Sequence, residues 1–135
     1  MRTLLIMLSS LFITLSSAQS AEQIHRAGET WVNKSKKTSG SWKIVEEAGL
    51  TSLILQSDFK TSKGPDLKLF LHAKPMGELG KKDPVEATGK LVGELQSAKG
   101  EQRYPLPSGV KLDDYKSLVI HCEKYTIVWG GVDLK

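Results

Sequence analysis

Apolar and polar residues alternate with a period of two along most of the chain after residue 41. Leu67, Leu69 and Leu71 occupy one face of such a pattern, with Lys68, Phe70 and His72 on the other. Similar alternation or a compact apolar run appears in segments 42–45, 50–56, 90–95, 118–122 and 125–129. Turn-forming residues separate many of these segments at intervals of about 8–12 residues, and no long amphipathic helical pattern interrupts them. The pattern predicts an all-β domain, an antiparallel β-sandwich or a barrel-like fold.

The connecting segments carry the residues expected of turns and loops. Residues 22–30 are expected to form a helical turn or an irregular lead-in, and residues 33–41 a polar loop. Residues 76–89, with three glycines and Pro84, predict a long connection. Pro105 and Pro107 predict an edge or extended segment, because proline cannot donate to a β-ladder. Gly130 and Gly131 are expected to end the last strand.

The N-terminal residues have the three parts of a secretory signal peptide. Arg2 is followed by the apolar stretches 4–8 and 11–15, and then by the small residues 16–18. The apolar run is too short for a transmembrane helix, so no transmembrane segment is expected in the mature chain. We therefore predict a signal peptide over 1–18, cleaved after Ala18 or Ala21, a lead-in and polar linker over 19–37, and the β domain over 38–135. The protein is predicted to be exported, to the periplasm or beyond the cell.

The composition and charge of the chain indicate which kinds of partner are expected. The chain has 135 residues, 39% hydrophobic and 25% charged, with a formal net charge of +4. That is ordinary for one soluble domain. The lysines are scattered singly or in pairs among acids rather than interleaved with aromatic residues, so no nucleic-acid partner is expected.

Sequence motifs of common enzyme classes are missing. The chain has no G-x-S-x-G nucleophile elbow, no P-loop and no dinucleotide-binding glycine motif. Its histidines, His25, His72 and His121, have no metal-ligand spacing, and a hydrolytic zinc site would require all three to converge. The acid pairs 46–47 and 113–114 are interpreted as solvated, and Asp58 and Asp66 as loop caps. A classical enzyme is not predicted, although a hydrolase site assembled only in space stays open.

Cys122 is the only cysteine, so no internal disulfide can form. A lone cysteine in an exported protein can pair with another molecule, act as a reactive thiol or be buried and inert. Strand parity places Cys122 on the side of Leu118 and Ile120, which favours burial, whereas its place at a strand end favours exposure. His121 falls on the opposite face, and Lys124 would lower the thiol pKa only if the turn folds back.

Several ordered segments of residues 38–134 resemble the DM13 domain family. In the first half these are Gly40 to Ile44, Leu53 to Leu55, Asp58-Phe59, Gly64 to Leu67, Leu69 and Leu71. In the second half they are Gly93 to Leu95, Gly100, Gln102, Tyr104, Leu106-Pro107, Tyr115, Val119 to Cys122, Tyr125 and Trp129-Gly130. The resemblance implies an exported β-sandwich-like module that takes part in electron transfer.

The resemblance also places Cys122 at the family's suspected redox cysteine. His121 stands where the family often has an aromatic residue, so it is either a neutral replacement or an added ligand for haem or a metal. Neither cofactor is indicated by residue spacing, and the cofactor stays open. Two hypotheses follow: a redox module in which Cys122 works with a partner protein, and a non-catalytic binding or adhesion module with an extracytoplasmic partner and a structural cysteine.

Overall fold

The computed structural model describes residues 21–135, which contain nine β-strands and little helix. The predicted signal peptide over 1–18 lies outside the described residues. The strands are β1 (Gln23–Gly28), β2 (Val32–Asn33), β3 (Trp42–Glu47), β4 (Leu50–Leu55), β5 (Leu67–His72), β6 (Lys90–Glu94), β7 (Gln102–Pro105), β8 (Ser117–Cys122) and β9 (Ile127–Asp133). Helical structure in this range comprises α1 (Val85–Thr88) and the 3-10 turns Met76–Glu78, Leu112–Asp114 and Glu123–Tyr125. None of these helices is long and apolar enough to cross a membrane.

The strands form two antiparallel sheets. One has the order β1-β3-β4-β7 and the other the order β2-β9-β8-β5-β6. The sheets do not close into a barrel, so the prediction of an all-β antiparallel domain is confirmed in its sandwich form. Pro105 ends β7 at the edge of the four-stranded sheet, as its missing N–H predicts.

The main core fills the space between the sheets. Alternate residues of each strand face inward, so Ile44 and Leu53 of the four-stranded sheet belong to the same core as Leu69, Leu118 and Ile120 of the five-stranded sheet. All five side chains are fully buried. Burial of this apolar surface is the main force that holds the two sheets together.

A second core covers the outer face of the five-stranded sheet. Residues 73–89, which we call the covering segment, pack Met76, Leu79 and Val85 against Phe70 and Val119. The sequence predicts this segment only as a long connection. Its apolar residues pack on the outer face of strands β5 and β8. Both strands are therefore buried on both faces.

Two local expectations are wrong. Residues 23–28 form strand β1, paired with β3, rather than a helical turn or an irregular lead-in. Strand β9 continues through Gly130 and Gly131 instead of ending there. The glycines allow close approach: a Cβ on Gly130 would lie 2.8 Å from the Val32 oxygen, and one on Gly131 would collide with the Leu118 oxygen and the Met76 side chain.

Candidate functional site

Cys122 is the last residue of β8 and points into the main core. It shares this side of the strand with Leu118 and Ile120, in agreement with the strand parity. In the sheet it pairs with Leu67 of β5 on one side and Ile127 of β9 on the other. The thiol is free and its residue is fully buried.

The exposure expected from a position at a strand end is therefore wrong. The chain turns directly after Cys122 through the 3-10 turn Glu123–Tyr125, and the Glu123 amide donates to the Asp66 carbonyl oxygen at 3.0 Å. This bond continues the β5–β8 pairing one residue beyond the pair of Leu67 and Cys122. Lys124 does not fold back toward Cys122; its Nζ lies over the Tyr125 ring, 5.5 Å from the centroid.

The loop over residues 62–66 lies beside the buried thiol. It leads into Leu67, the partner of Cys122 in the sheet, and it packs against Trp129 so closely that a Cβ on Gly64 would lie 3.0 Å from the indole ring. The Trp129 Nε1 donates to the Ser62 carbonyl oxygen at 3.0 Å. A cleft of about 470 Å³ opens between this loop and residues 94–98.

His121 lies on the opposite face of β8, beneath the covering segment. It is fully buried, with its ring edge-on to Phe70 at 6.0 Å. Its Nε2 lies 3.2 Å from Glu86 Oε2, but neither ring nitrogen makes a hydrogen bond of ordinary geometry with the described residues. Burial lowers the pKa of His121, and the opposing attraction of Glu86, the Asp83 backbone and Asp66 is smaller. The ring is therefore neutral at pH 7.

Cys122 and His121 cannot ligate one ion in this structure. They project to opposite faces of the sheet, Cys122 into the main core and His121 into the second core. Within residues 21–135, no group of three or more His, Cys, Asp or Glu side chains could hold a metal ion. These residues therefore do not fit a haem iron or a metal held jointly by Cys122 and His121, and the ligand role considered for His121 has no support from its geometry.

The other two histidines lie apart from Cys122. His72 accepts a hydrogen bond from the Lys74 amide at Nδ1 (3.0 Å), so its Nε2 carries the proton and donates to Thr88 Oγ1 at 2.8 Å. Burial, and then Lys74, lowers the pKa of His72. His25 is in the other sheet, 2.8 Å from Glu46. The three histidines do not converge.

The acidic residues in the loops have structural partners. Asp58 accepts hydrogen bonds from the Ser41 amide and hydroxyl at 2.9 and 2.8 Å, and these bonds lower its pKa. This is the predicted loop-capping role. Asp66 lies 3.5 Å from the Lys68 Nζ, which is also paired with Glu123. This ion-paired group could not be predicted from the sequence, because only the β5–β8 pairing brings residues 68 and 123 together.

The geometry defines a small β-sandwich module with one buried thiol and, among the described residues, no cluster of His, Cys, Asp and Glu side chains that could hold a metal ion. The chain belongs to the DM13 family, whose family description is "Electron transfer DM13", with a match over residues 30–134. The recognition of the family from the sequence is thereby confirmed. The matched domain of this chain therefore belongs to a family that is described as an electron-transfer family. No curated protein and no solved structure matches it significantly.

Proposed function

We propose that this protein is an exported electron-transfer module whose redox-active group is Cys122. The observation that carries the proposal is the family match over residues 30–134, which includes the strand that ends in the chain's only thiol. Export rests on the signal-like residues 1–18. An oxidising compartment outside the cytoplasm supplies the disulfides with which a single thiol can react.

The chemical step that suits a single thiol is exchange with a disulfide of a partner protein. The Cys122 thiol loses its proton to solvent, and the thiolate attacks one sulfur of the partner's disulfide. A mixed disulfide forms as the partner's sulfur–sulfur bond breaks, and the second partner sulfur leaves as a thiolate. The partner's disulfide is the oxidant. A thiolate of a second molecule, the reductant, then attacks the partner's sulfur in the mixed disulfide and forms a new disulfide with it. The bond between the partner's sulfur and Cys122 breaks, and Cys122 leaves as a thiolate in its original reduced form.

This step requires Cys122 to become accessible, because the thiol is fully buried. We infer that the opening is a displacement of the 62–66 loop, because this loop leads directly into Leu67, the partner of Cys122 in the sheet. That displacement breaks the bond from the Glu123 amide to the Asp66 oxygen and the bond from the Trp129 indole to the Ser62 oxygen. Local openings of this size have smaller free energies than global unfolding. A buried thiol can therefore react at a rate that is set by the local opening.

The test is native-state thiol labelling of the mature protein with iodoacetamide over increasing urea, beside the urea unfolding curve. The proposed redox role requires that Cys122 is labelled through a local opening. The labelling rate should then depend very little on the urea concentration below the unfolding transition. The free energy of this opening should be at least about 2 kcal/mol smaller than that of global unfolding. The proposal fails if the labelling rate follows global unfolding at every urea concentration.

The complete burial of Cys122 among apolar side chains supports a second candidate, a non-catalytic binding module with a structural cysteine. Labelling only through global unfolding would favour it. A Cys122→Val variant that stays folded and retains binding to an extracytoplasmic partner would then complete the case, because valine keeps the packing and removes the thiol.

A further inference from the structure

Six lysines that are dispersed in the sequence meet at one end of the sandwich. Three connecting loops carry them: residues 34–40, 58–64 and 96–101. These loops are joined by isolated β-bridges, one from Ser39 to Lys60 and one from Lys60 to Lys99. We call the following set the lysine patch: Lys34, Lys36, Lys37, Lys60, Lys63 and Lys99.

The charge of the lysine patch is not neutralised within the described part of the chain. None of its six lysines lies within 4.0 Å of a carboxylate there, whereas Lys43 and Lys68 elsewhere do. Two acids lie in the same loops, Asp58 and Glu101, and the Asp58 carboxylate is already engaged by Ser41. Five of the six lysines are exposed, and Lys34 is half-buried. An excess of positive charge in a small area attracts an acidic surface.

The backbone beneath the lysine patch is held in place. The amides of residues 34, 35 and 36 all donate to the Trp129 carbonyl oxygen, at 3.0 to 3.2 Å. The Thr38 and Thr61 hydroxyls form a buried hydrogen bond of 2.8 Å between two of the loops. Lys36 Nζ lies 5.7 Å from the centroid of the Trp129 ring. Loops whose backbone is already fixed lose less conformational entropy on binding than flexible loops.

The lysine patch adjoins the 62–66 loop, which leads into Leu67, the sheet partner of Cys122. Lys63 lies in the wall of the 470 Å³ cleft, together with Gly64 and Leu67. Trp129 links the two features, since its ring contacts Gly64 and lies under Lys36. A molecule docked on the lysine patch would therefore be in contact with the 62–66 loop.

We propose that the lysine patch is the docking surface for an acidic face of the redox partner protein. The redox nature of the partner rests on the proposed function. The acidic character of its docking face rests only on the charges of the lysine patch. A membrane surface fits less well, because surface binding usually combines basic residues with inserted apolar ones. The exposed large apolar residues of the described chain, Ile24, Leu50, Leu91 and Tyr125, all lie outside the lysine patch.

The test uses poly-L-glutamate of about 15 residues as an acidic protein-like probe, at an ionic strength of about 20 mM where charge attraction is strong. Binding is followed by backbone amide NMR shifts. The test variant combines Lys36→Glu, Lys60→Glu and Lys99→Glu. The matched control combines Lys90→Glu, Lys111→Glu and Lys116→Glu, three exposed lysines at the opposite end of the sandwich with the same change in net charge.

We expect the largest shifts in the wild-type protein at residues 34–40, 58–64 and 96–101. The affinity should fall at least about tenfold in the test variant and less than about threefold in the control. Equal losses in both variants would show attraction by net charge alone and overturn the proposal. Tighter binding to vesicles of phosphatidylglycerol and phosphatidylcholine than to the probe would overturn it in favour of a membrane. Binding that follows the lysine patch while Cys122 stays inert to labelling would uphold the docking surface and reject the redox role.

Discussion

The buried His121 lies against the partly exposed Glu86 on the outer face of the five-stranded sheet, with 3.2 Å between Nε2 and Oε2. The histidine is fully buried and its pKa is lowered mainly by that burial, despite the nearby carboxylate. His72 lies under the same covering segment, and its pKa is lowered for the same principal reason. Protonation of either ring therefore opposes folding.

Stability should fall as the pH decreases through the unfolded histidine pKa of 6.5. Below that pH the unfolded chain binds protons that the folded chain still excludes, and the loss levels off once the pH passes the lowered folded pKa values. Urea unfolding at pH 7.5, 6.5 and 5.5 measures the effect. His121→Phe should reduce the slope, because it removes one of the two buried rings whose protonation opposes folding. A stability that does not change between pH 7.5 and 5.5 would contradict the neutral state assigned to both buried rings.

Removal of the Glu86 charge should lower the pKa of His121 further. The carboxylate is the largest influence that favours the protonated ring, so Glu86→Gln removes attraction and leaves the effect of burial. An NMR titration of the His121 ring protons measures the shift, and the ring protons of His25 serve as an internal control. An unchanged or higher His121 pKa in the variant would show that the 3.2 Å contact has no electrostatic effect.

The fold could be predicted well from the sequence, and the site only in part. Strand parity gave the direction of Cys122 because alternation is a local property of a strand. Its complete burial depends on the main core, which forms only when the two sheets pack against each other. The sequence shows the lysines of the patch only as scattered charge for the same reason: their three loops are far apart along the chain and meet through the bridges at Lys60.

Two substitutions of Cys122 should show separately how the packing and the polarity of its side chain affect the free energy of unfolding. Cys122→Ser places a hydroxyl in a fully buried apolar site and should cost about 1–3 kcal/mol of unfolding free energy. Cys122→Val replaces the thiol by an apolar group of similar size and should cost less than about 1.5 kcal/mol. Urea unfolding of both variants tests this. A serine variant as stable as the wild type would show that the site is hydrated.

Gly131→Ala should destabilise the protein by about 1–3 kcal/mol, through the overpacking of a filled site. Its Cβ would collide with the Leu118 oxygen and the Met76 side chain, which belong to β8 and the covering segment. Gly77→Ala is the matched control, because a Cβ there meets no atom within 4 Å. Thermal unfolding of both variants gives the comparison, and equal transition temperatures would contradict the close packing of the covering segment on β9.

Trp129→Phe should increase the native-state labelling rate of Cys122 by about 2- to 12-fold, which corresponds to the loss of one hydrogen bond of about 0.5–1.5 kcal/mol. The bond from Nε1 to the Ser62 oxygen holds the 62–66 loop, so its removal favours the opening that exposes the thiol. Trp31→Phe is the control, because its Nε1 bonds to the Gly40 oxygen at 2.7 Å, in a different loop. Labelling at urea concentrations well below the unfolding transition isolates the local opening from any change in global stability. A rate that rises equally in both variants, or in neither, would show that the 62–66 loop does not control access to Cys122.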